Sequence, residues 1–273
     1  MSNFDPFAAE WISYAKSPQY TLVEKCLKLS QMLEFPNLDI SEYVQKLGSF
    51  EQGLRDHVSD VKNPIYQVSM LNEYMFDILG FEGDDDDYYN PRNNFLNVVI
   101  EKRSGIPITL SIIYIEVAKA IGLELKPVGF PGHFLVKYSE ELILDPFNRG
   151  SLLDIEDLQD ILDATYGEGV EFEPEYLNDI EPEKILTRIL RNLKGSYIES
   201  FSYQKAMHCI NMVLGIEPDS PEDIRDKGIV QIRLLQWDLA LISLNKYLEL
   251  APEAYDVDDI LEMIKSIKEK SSQ

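Results

Sequence analysis

The chain has 273 residues, 45% of them hydrophobic and 27% charged, which is ordinary globular composition and enough apolar material for one large or two modest domains. Its 48 acidic against 25 basic residues give a formal charge of −23. A field of that sign repels phosphate backbones and argues against nucleic acid as a direct partner, while suiting solubility or the docking of basic peptides.

Residues 1 to about 80 read as helices, with loops at Pro18, Pro36 and Pro64. Met1–Pro6 has no basic region followed by an apolar run, so no leader is expected. Leu22, Val23, Cys26, Leu27, Leu29 and Leu33 repeat at helical spacing, as do Ile65, Val68, Met70, Leu71, Met75, Ile78 and Leu79 before a stop at Gly80. Asp84–Asp87 lack the alternating ligands and distal glutamate of a calcium loop and read as a solvated turn.

A core is expected over residues 92–170. Asn93–Ile100 start one apolar helix and Pro107–Ile121 form a second, with proline at the first helical position and Gly122 as the stop. Its isoleucines leave almost no polar face, so this second helix is predicted to be buried. Strands are predicted at Leu123–Val128, His133–Tyr138 and Leu142–Leu144, with Gly129–Gly132 as a turn. Residues 151–180 are expected to hold a helix and a loop.

The last part is periodic. Tyr203 and Trp237 lie 34 residues apart, as do Ala206 and Ala240, and Pro218 and Pro252. Apolar positions keep step, among them Phe201 with Leu235 and Ile210 with Leu244. That period and pattern resemble the tetratricopeptide repeat. Repeats are expected at about 187–220 and 221–254, followed by a capping helix from Asp258 to Lys270. The family's small first-helix residue is Gly228 in repeat two but Lys194 in repeat one. Two repeats are too few to stand alone, so they are expected to lean on the preceding core or on a second copy, which would make a homodimer. Either they form only a helical docking layer, or their concave face holds a protein or peptide.

The middle of the chain resembles the transglutaminase-like fold, a relative of papain-type enzymes. The resemblance is carried by Asn94-Phe95-Leu96, Glu101–Ser111, Ala120–Leu123, Gly129–Phe134 and Leu144–Phe147. The whole arrangement resembles a bacterial family that joins such a core to a tetratricopeptide pair, some of whose members are labelled regulators of invasion genes. The implied fold is α+β and mostly helical: N-terminal helices and a core with a small antiparallel sheet over 1–180, then helical hairpins over 181–273.

The resemblance implies a Cys at a helix start, a His on a strand and an Asp on the next strand. His133 and Asp145 match two of these positions, but the helix start reads Ile106-Pro107-Ile108-Thr109, and Cys26 and Cys209 lie in other segments. The two cysteines match no CxxC or zinc spacing and read as small buried hydrophobes. A three-residue hairpin loop at Ser139–Glu141 pairs Tyr138 with Leu142 and Leu135 with Asp145, which puts His133 and Asp145 diagonally on one face. A two-residue loop would separate them. Thr109, Ser104 and Ser111 are the nearby hydroxyls. Thr109 and Ser104 suit free N–H groups at the helix start better than nucleophilic attack. Arg103, Glu101 and Asn94 are candidate binding residues, although a solvated face is the commoner case for the first two. His57 and His208 show no metal-ligand spacing. No uncharged run reaches the roughly 20 residues of a membrane span. The expectation is a cytoplasmic protein without metal or cofactor. It is either a binding scaffold without thiol chemistry or a hydrolase or acyl transferase using His133 and Asp145 on peptide or amide substrates. A third reading makes the core a recognition module in which Arg103 and His133 hold a small ligand or peptide terminus.

Overall fold

The computed structural model describes residues 6–58 and 62–271; the Met1–Asp5 part of the segment read for a leader lies outside them. The helices are α1 (Pro6–Ala15), α2 (Leu22–Leu33), α3 (Ile40–His57), α4 (Pro64–Asn72), α5 (Leu96–Lys102), α6 (Pro107–Ala118), α7 (Ile155–Tyr166), α8 (Pro182–Glu199), α9 (Tyr203–Ile216), α10 (Pro221–Arg233), α11 (Trp237–Leu250) and α12 (Val257–Ser271). The strands are β1 (Glu82–Gly83), β2 (Ser104–Gly105), β3 (Lys126–Val128), β4 (Leu135–Ser139), β5 (Leu142–Asp145) and β6 (Ser151–Leu153). The architecture is α+β and mostly helical, as the sequence implies. The chain divides into a core unit, Pro18–Leu186, and a repeat unit made of the residues up to Ser17 and from Thr187 onward.

Several boundaries follow from local chemistry. Thr21 caps α2 through a reciprocal pair with Glu24, whose backbone N–H donates to the Thr21 hydroxyl at 3.2 Å. Pro64 begins α4 where a loop is expected, because Asn63 accepts from the Ile65 and Tyr66 N–H groups and the proline has no N–H to leave orphaned. That helix runs on as a π-helical turn, Glu73–Ile78, before Gly80 takes φ 73°. A 3-10 turn, Pro91–Asn94, precedes α5. Buried side chains run around almost the whole of α6, and a 3-10 turn, Lys119–Ile121, carries the chain on to a stop at Gly122 with φ 70°.

In the core unit, β3-β4-β5-β6 form one antiparallel sheet in that order, and β1 and β2 a short parallel pair. Leu135 and Ile143 pack on Leu158 and Leu162 of α7. The neighbouring positions Val136 and Leu144 are buried on the opposite face, because strand side chains alternate. Pro127 is tolerated because β3 is an edge strand. The structure corrects the strand ends: β3 begins only at Lys126, His133 belongs to the turn before β4, and β6 and the β1–β2 pair have no counterpart in the sequence reading.

In the repeat unit, α9 and α11 begin and end 34 residues apart. Gly228 is needed because a Cβ there would sit 2.6 Å from Leu244 Cδ2. Lys194, at the equivalent position, is buried and turns its Nζ to Asp223 (2.7 Å) and Asp226 (2.6 Å) of α10. The last helix begins at Val257, one residue before the capping helix read from sequence. The N-terminal segment departs from the expected boundary at residue 180. Residues from Pro6 to Ser17 join the repeats, with Ile12 against Gly215 and the Phe7 ring 4.9 Å from that of His208. The pair of hairpins thus leans on α1, a support that the sequence reading did not name.

Candidate functional site

The site is built on the turn before β4 and the end of β5. Phe130-Pro131-Gly132-His133 form a β-turn in which Pro131 presets φ and Gly132 adopts φ 74°, and the His133 N–H closes it onto the Phe130 carbonyl at 3.1 Å. A side chain at residue 132 would also meet Thr165 of α7 at 2.3 Å, so glycine is required there twice over.

His133 Nε2 lies 2.9 Å from Asp145 Oδ2. The route to this pairing differs from the expected one. The hairpin loop has two residues, Glu140 and Glu141, and Ser139 opposes Leu142. Tyr138 is an extra, bulged residue between Lys137 and Ser139, and it restores the register in which Val136 faces Leu144. The two-residue loop therefore does not separate the pair, because the bulge cancels the shift.

Asp145 is almost fully buried, with a side-chain exposure of 1%. Its Oδ2 also accepts from Asn148 Nδ2 at 2.7 Å, and its Oδ1 accepts from the Phe147 N–H at 2.9 Å. The Asp145 carbonyl accepts from the Asn148 and Gly150 N–H groups. The loop is tied back further. Gly150 has φ 68°, its carbonyl accepts from Asn72 Nδ2 at 2.9 Å, and Asn72 Oδ1 accepts from the Tyr114 hydroxyl at 2.6 Å. Burial pushes the Tyr114 phenol well above its ordinary range, which keeps it a neutral donor. The Phe147 ring stands edge-on to His133 with centroids 6.1 Å apart.

The other expected residues separate. Thr109 Oγ1 accepts from the Ile106 N–H at 3.2 Å and reaches the Asn93 and Ile106 carbonyls at 3.0 and 3.1 Å, so its hydroxyl serves the start of α6. Ser111 Oγ reaches the Phe134 carbonyl at 3.5 Å. Ser104 lies in β2 opposite Glu82. The structure does not bring Arg103 to His133. Its guanidinium sits over the Phe50 and Phe81 rings, 4.2 and 4.8 Å from their centroids, and burial lowers its pKa. Glu101 turns to Lys46 and the Tyr43 hydroxyl, whose hydrogen bonds hold its carboxyl below the usual range. Asn94 offers Nδ2 to the Pro91 carbonyl at 3.5 Å, while its buried Oδ1 has no hydrogen-bond partner among the described residues.

Cys26 is buried in α2 and its thiol is pushed up to about 12, chiefly by burial, against the opposing charge of Lys25. Cys209 is buried in α9. His57 lies 3.8 Å from Glu73, and the described residues hold no group of three or more His, Cys, Asp or Glu side chains placed to bind a metal ion. Sequence reasoning missed Asn148, which orients Asp145. The signal was an Asp-x-x-Asn spacing straight after a strand, typical of side chains that fold back on their own turn.

A small antiparallel sheet between a buried helix and α7, with a His–Asp pair at its rim, defines a papain-like core, here followed by helical hairpins. The chain belongs to the transglutaminase-like superfamily, whose profile it matches over residues 41–191; residues 193–265 match a tetratricopeptide repeat. It is 37% identical over 231 residues to a UPF0162 protein of Xylella fastidiosa, covering 82% of each chain. It is 26% identical over 238 residues to Protein SirB1 of Salmonella typhimurium, covering 86% of each. F-box only protein 21 of Homo sapiens is 27% identical over 208 residues, which are 69% of this chain and 30% of that one. A transglutaminase-like domain followed by repeats is an architecture that supports an interaction role. No helix among the described residues is long and apolar enough to cross a membrane.

Proposed function

We propose that this protein is a non-catalytic binding or scaffold protein of the cytoplasm, a pseudoenzyme that keeps the transglutaminase-like fold without its thiol and presents its repeats to a protein or peptide partner. One observation carries this reading: Thr109, at the start of the helix that bears the thiol in such folds, spends its hydroxyl on the backbone of that helix start. The two cysteines offer no substitute, being buried in α2 and α9. The His133–Asp145 pair then acts as a clasp that sets the Phe130–His133 turn against β5. Dimerisation through the repeats is open to the same interpretation, and sedimentation over a concentration series tests it: a single monomeric species throughout rejects it.

The 2.9 Å His133–Asp145 contact favours a second reading, a hydrolase or acyl transferase acting on peptide or amide substrates. In that reading Asp145 would orient the His133 imidazole, which would act as base toward water or a hydroxyl. Partner capture from a native lysate, with wild type and with His133→Ala, separates the two readings. The scaffold reading expects the same unmodified prey from both. Cleaved or acyl-modified prey from wild type alone would replace it with the enzymatic one.

A further inference from the structure

In the repeat unit, the two hairpins differ in how one side of their second helix is covered. On α9, His208, Met212 and Gly215 follow one another at four and three residues and so share a side of the helix. α1 lies against that side. The Phe7 ring is 4.9 Å from that of His208, a Cβ at Gly215 would sit 2.5 Å from Ile12 Cγ1, and Met212 is fully buried. Shifted by the 34-residue period, the same side of α11 carries Ile242, Lys246 and Glu249, with Leu239 three residues before Ile242. Here the stripe is open, with Ile242 67% and Leu239 44% exposed. Large aliphatic side chains exposed together on one stripe mark a contact surface.

Charge identifies the occupant. Asp238 and Lys246 stand four residues to either side of Ile242. Asp238 has no ion pair among the described residues. Lys246 reaches Asp219 at 3.3 Å, but both side chains are exposed and such a contact contributes little. A helix laid antiparallel on α11 about Ile242 sets position 242 against position 242 and position 238 against position 246. A second α11 fits that arrangement twice over: Asp238 of each copy meets the partner's Lys246, and the lysine stem lies along the partner's Leu239 while its amine stays at the rim. The distribution of charge favours the same approach. The core unit holds 32 acidic against 13 basic residues, whereas the repeat unit holds 16 against 12. Two copies of a chain of charge −23 therefore repel each other least through their repeats.

We propose that two copies of this chain associate through α11, antiparallel about a two-fold axis at Ile242, with Ile242 packed on its own counterpart and two Asp238–Lys246 pairs flanking it. A two-fold contact is self-complementary, and the order of charges along α11 has that property. The proposal rests on the dimerisation through the repeats raised above and gives that dimer its surface; the scaffold and enzymatic readings do not depend on it. One helix pair falls at the low end of specific interfaces, below about 1,200 Å², so the dimer is expected to form reversibly as concentration rises.

The test is sedimentation equilibrium of the full chain over a concentration series. Wild type is expected to pass from monomer to dimer. Ile242→Glu sets two carboxylates on the axis and is expected to weaken the dimer by about tenfold or more. Its side chain is exposed, so the melting curve of the dilute monomer should match that of wild type. Asp238→Lys is expected to weaken the dimer by about fivefold, although it lowers the net negative charge and general repulsion alone would give the opposite sign. Adding Lys246→Asp to that variant reverses both members of the pair and should restore wild-type association. A monomer at every concentration would overturn the surface and dimerisation through the repeats together. A dimer unaffected by Ile242→Glu, an Asp238→Lys variant that associates as well as wild type, or a double variant that fails to recover would overturn the α11 surface alone.

Discussion

The two units solve the same problem, fixing one packing among many, with opposite chemistry. The repeat unit puts charge inside. Asp223 has no exposed side-chain surface, yet it accepts from Arg191, Lys194 and Ser220, while Arg225 reaches Asp256, which also accepts from the Tyr247 hydroxyl. The core unit fixes its loops mainly with neutral groups: Tyr114 to Asn72 to Gly150, and Thr109 across the start of α6. Its most deeply placed ionisable pair among the described residues is His133 with Asp145. Stacked amphipathic helices share a 34-residue pattern and can slip by a repeat, and a charge paired across two helices penalises the slipped pairing. A sheet whose two faces are already distinguished by alternation needs no such device.

The largest expected effect follows from this contrast. Asp223→Ala removes the buried carboxylate that Lys194 and Arg191 share, leaving Lys194 to Asp226 and Arg191 to Glu217, and should cost about 3 kcal/mol, the low end for breaking a buried pair, read by urea unfolding. Tyr114→Phe removes one neutral donor and leaves Asn72 Oδ1 unpaired, for about 1–3 kcal/mol. A larger loss in Tyr114→Phe than in Asp223→Ala would break the comparison. Acid sharpens it. Burial raises the pKa of Asp223, but hydrogen bonds from Lys194 and Arg191 outweigh burial and hold it below the ordinary value; the Tyr247 hydrogen bond does the same for Asp256. Groups with depressed folded pKa values contribute stability that is full at neutral pH and is lost as pH falls below about 4 and through the folded pKa. Hydrogen exchange followed from pH 6 to pH 3 should therefore show α10 and α11 losing protection early. Uniform protection across that range would reject the assignment.

How much of this could be read from the chain depends on the range of the interactions involved. The buried α6, the stops at Gly80 and Gly122, the Pro131-Gly132 turn and the 34-residue period are local patterns, and all appear where the sequence puts them. The His133–Asp145 pairing was reached through a loop of the wrong length. A bulge at Tyr138 leaves no trace in hydropathy, since it adds one residue to a strand end that is already polar. The placement of α1 on α9 was illegible because Ile12 and Gly215 are joined only by tertiary packing.

The smallest expected effect bears most directly on what the repeats do. Phe201 and Leu235, 34 residues apart, each close the turn within a helical hairpin with φ 58° and 60°. A non-glycine residue in that conformation costs roughly 1–2 kcal/mol. Their side chains do not recover it by burial, being 76% and 69% exposed. Folding alone would favour glycine at both positions, so Leu235→Gly should leave the protein unchanged or up to about 1 kcal/mol more stable once the extra freedom of the unfolded chain is counted. Strain kept at an exposed apolar residue points to a use in binding. If the two residues contact the partner, the double variant Phe201→Gly with Leu235→Gly should melt no lower than wild type and yet capture less prey. Stability and capture both unchanged would make the two residues incidental and leave the concave face of the repeats as the surface to test. A fall in stability would show that the exposed rings and methyls pack on their own turns after all, and the strain would then have a structural cause.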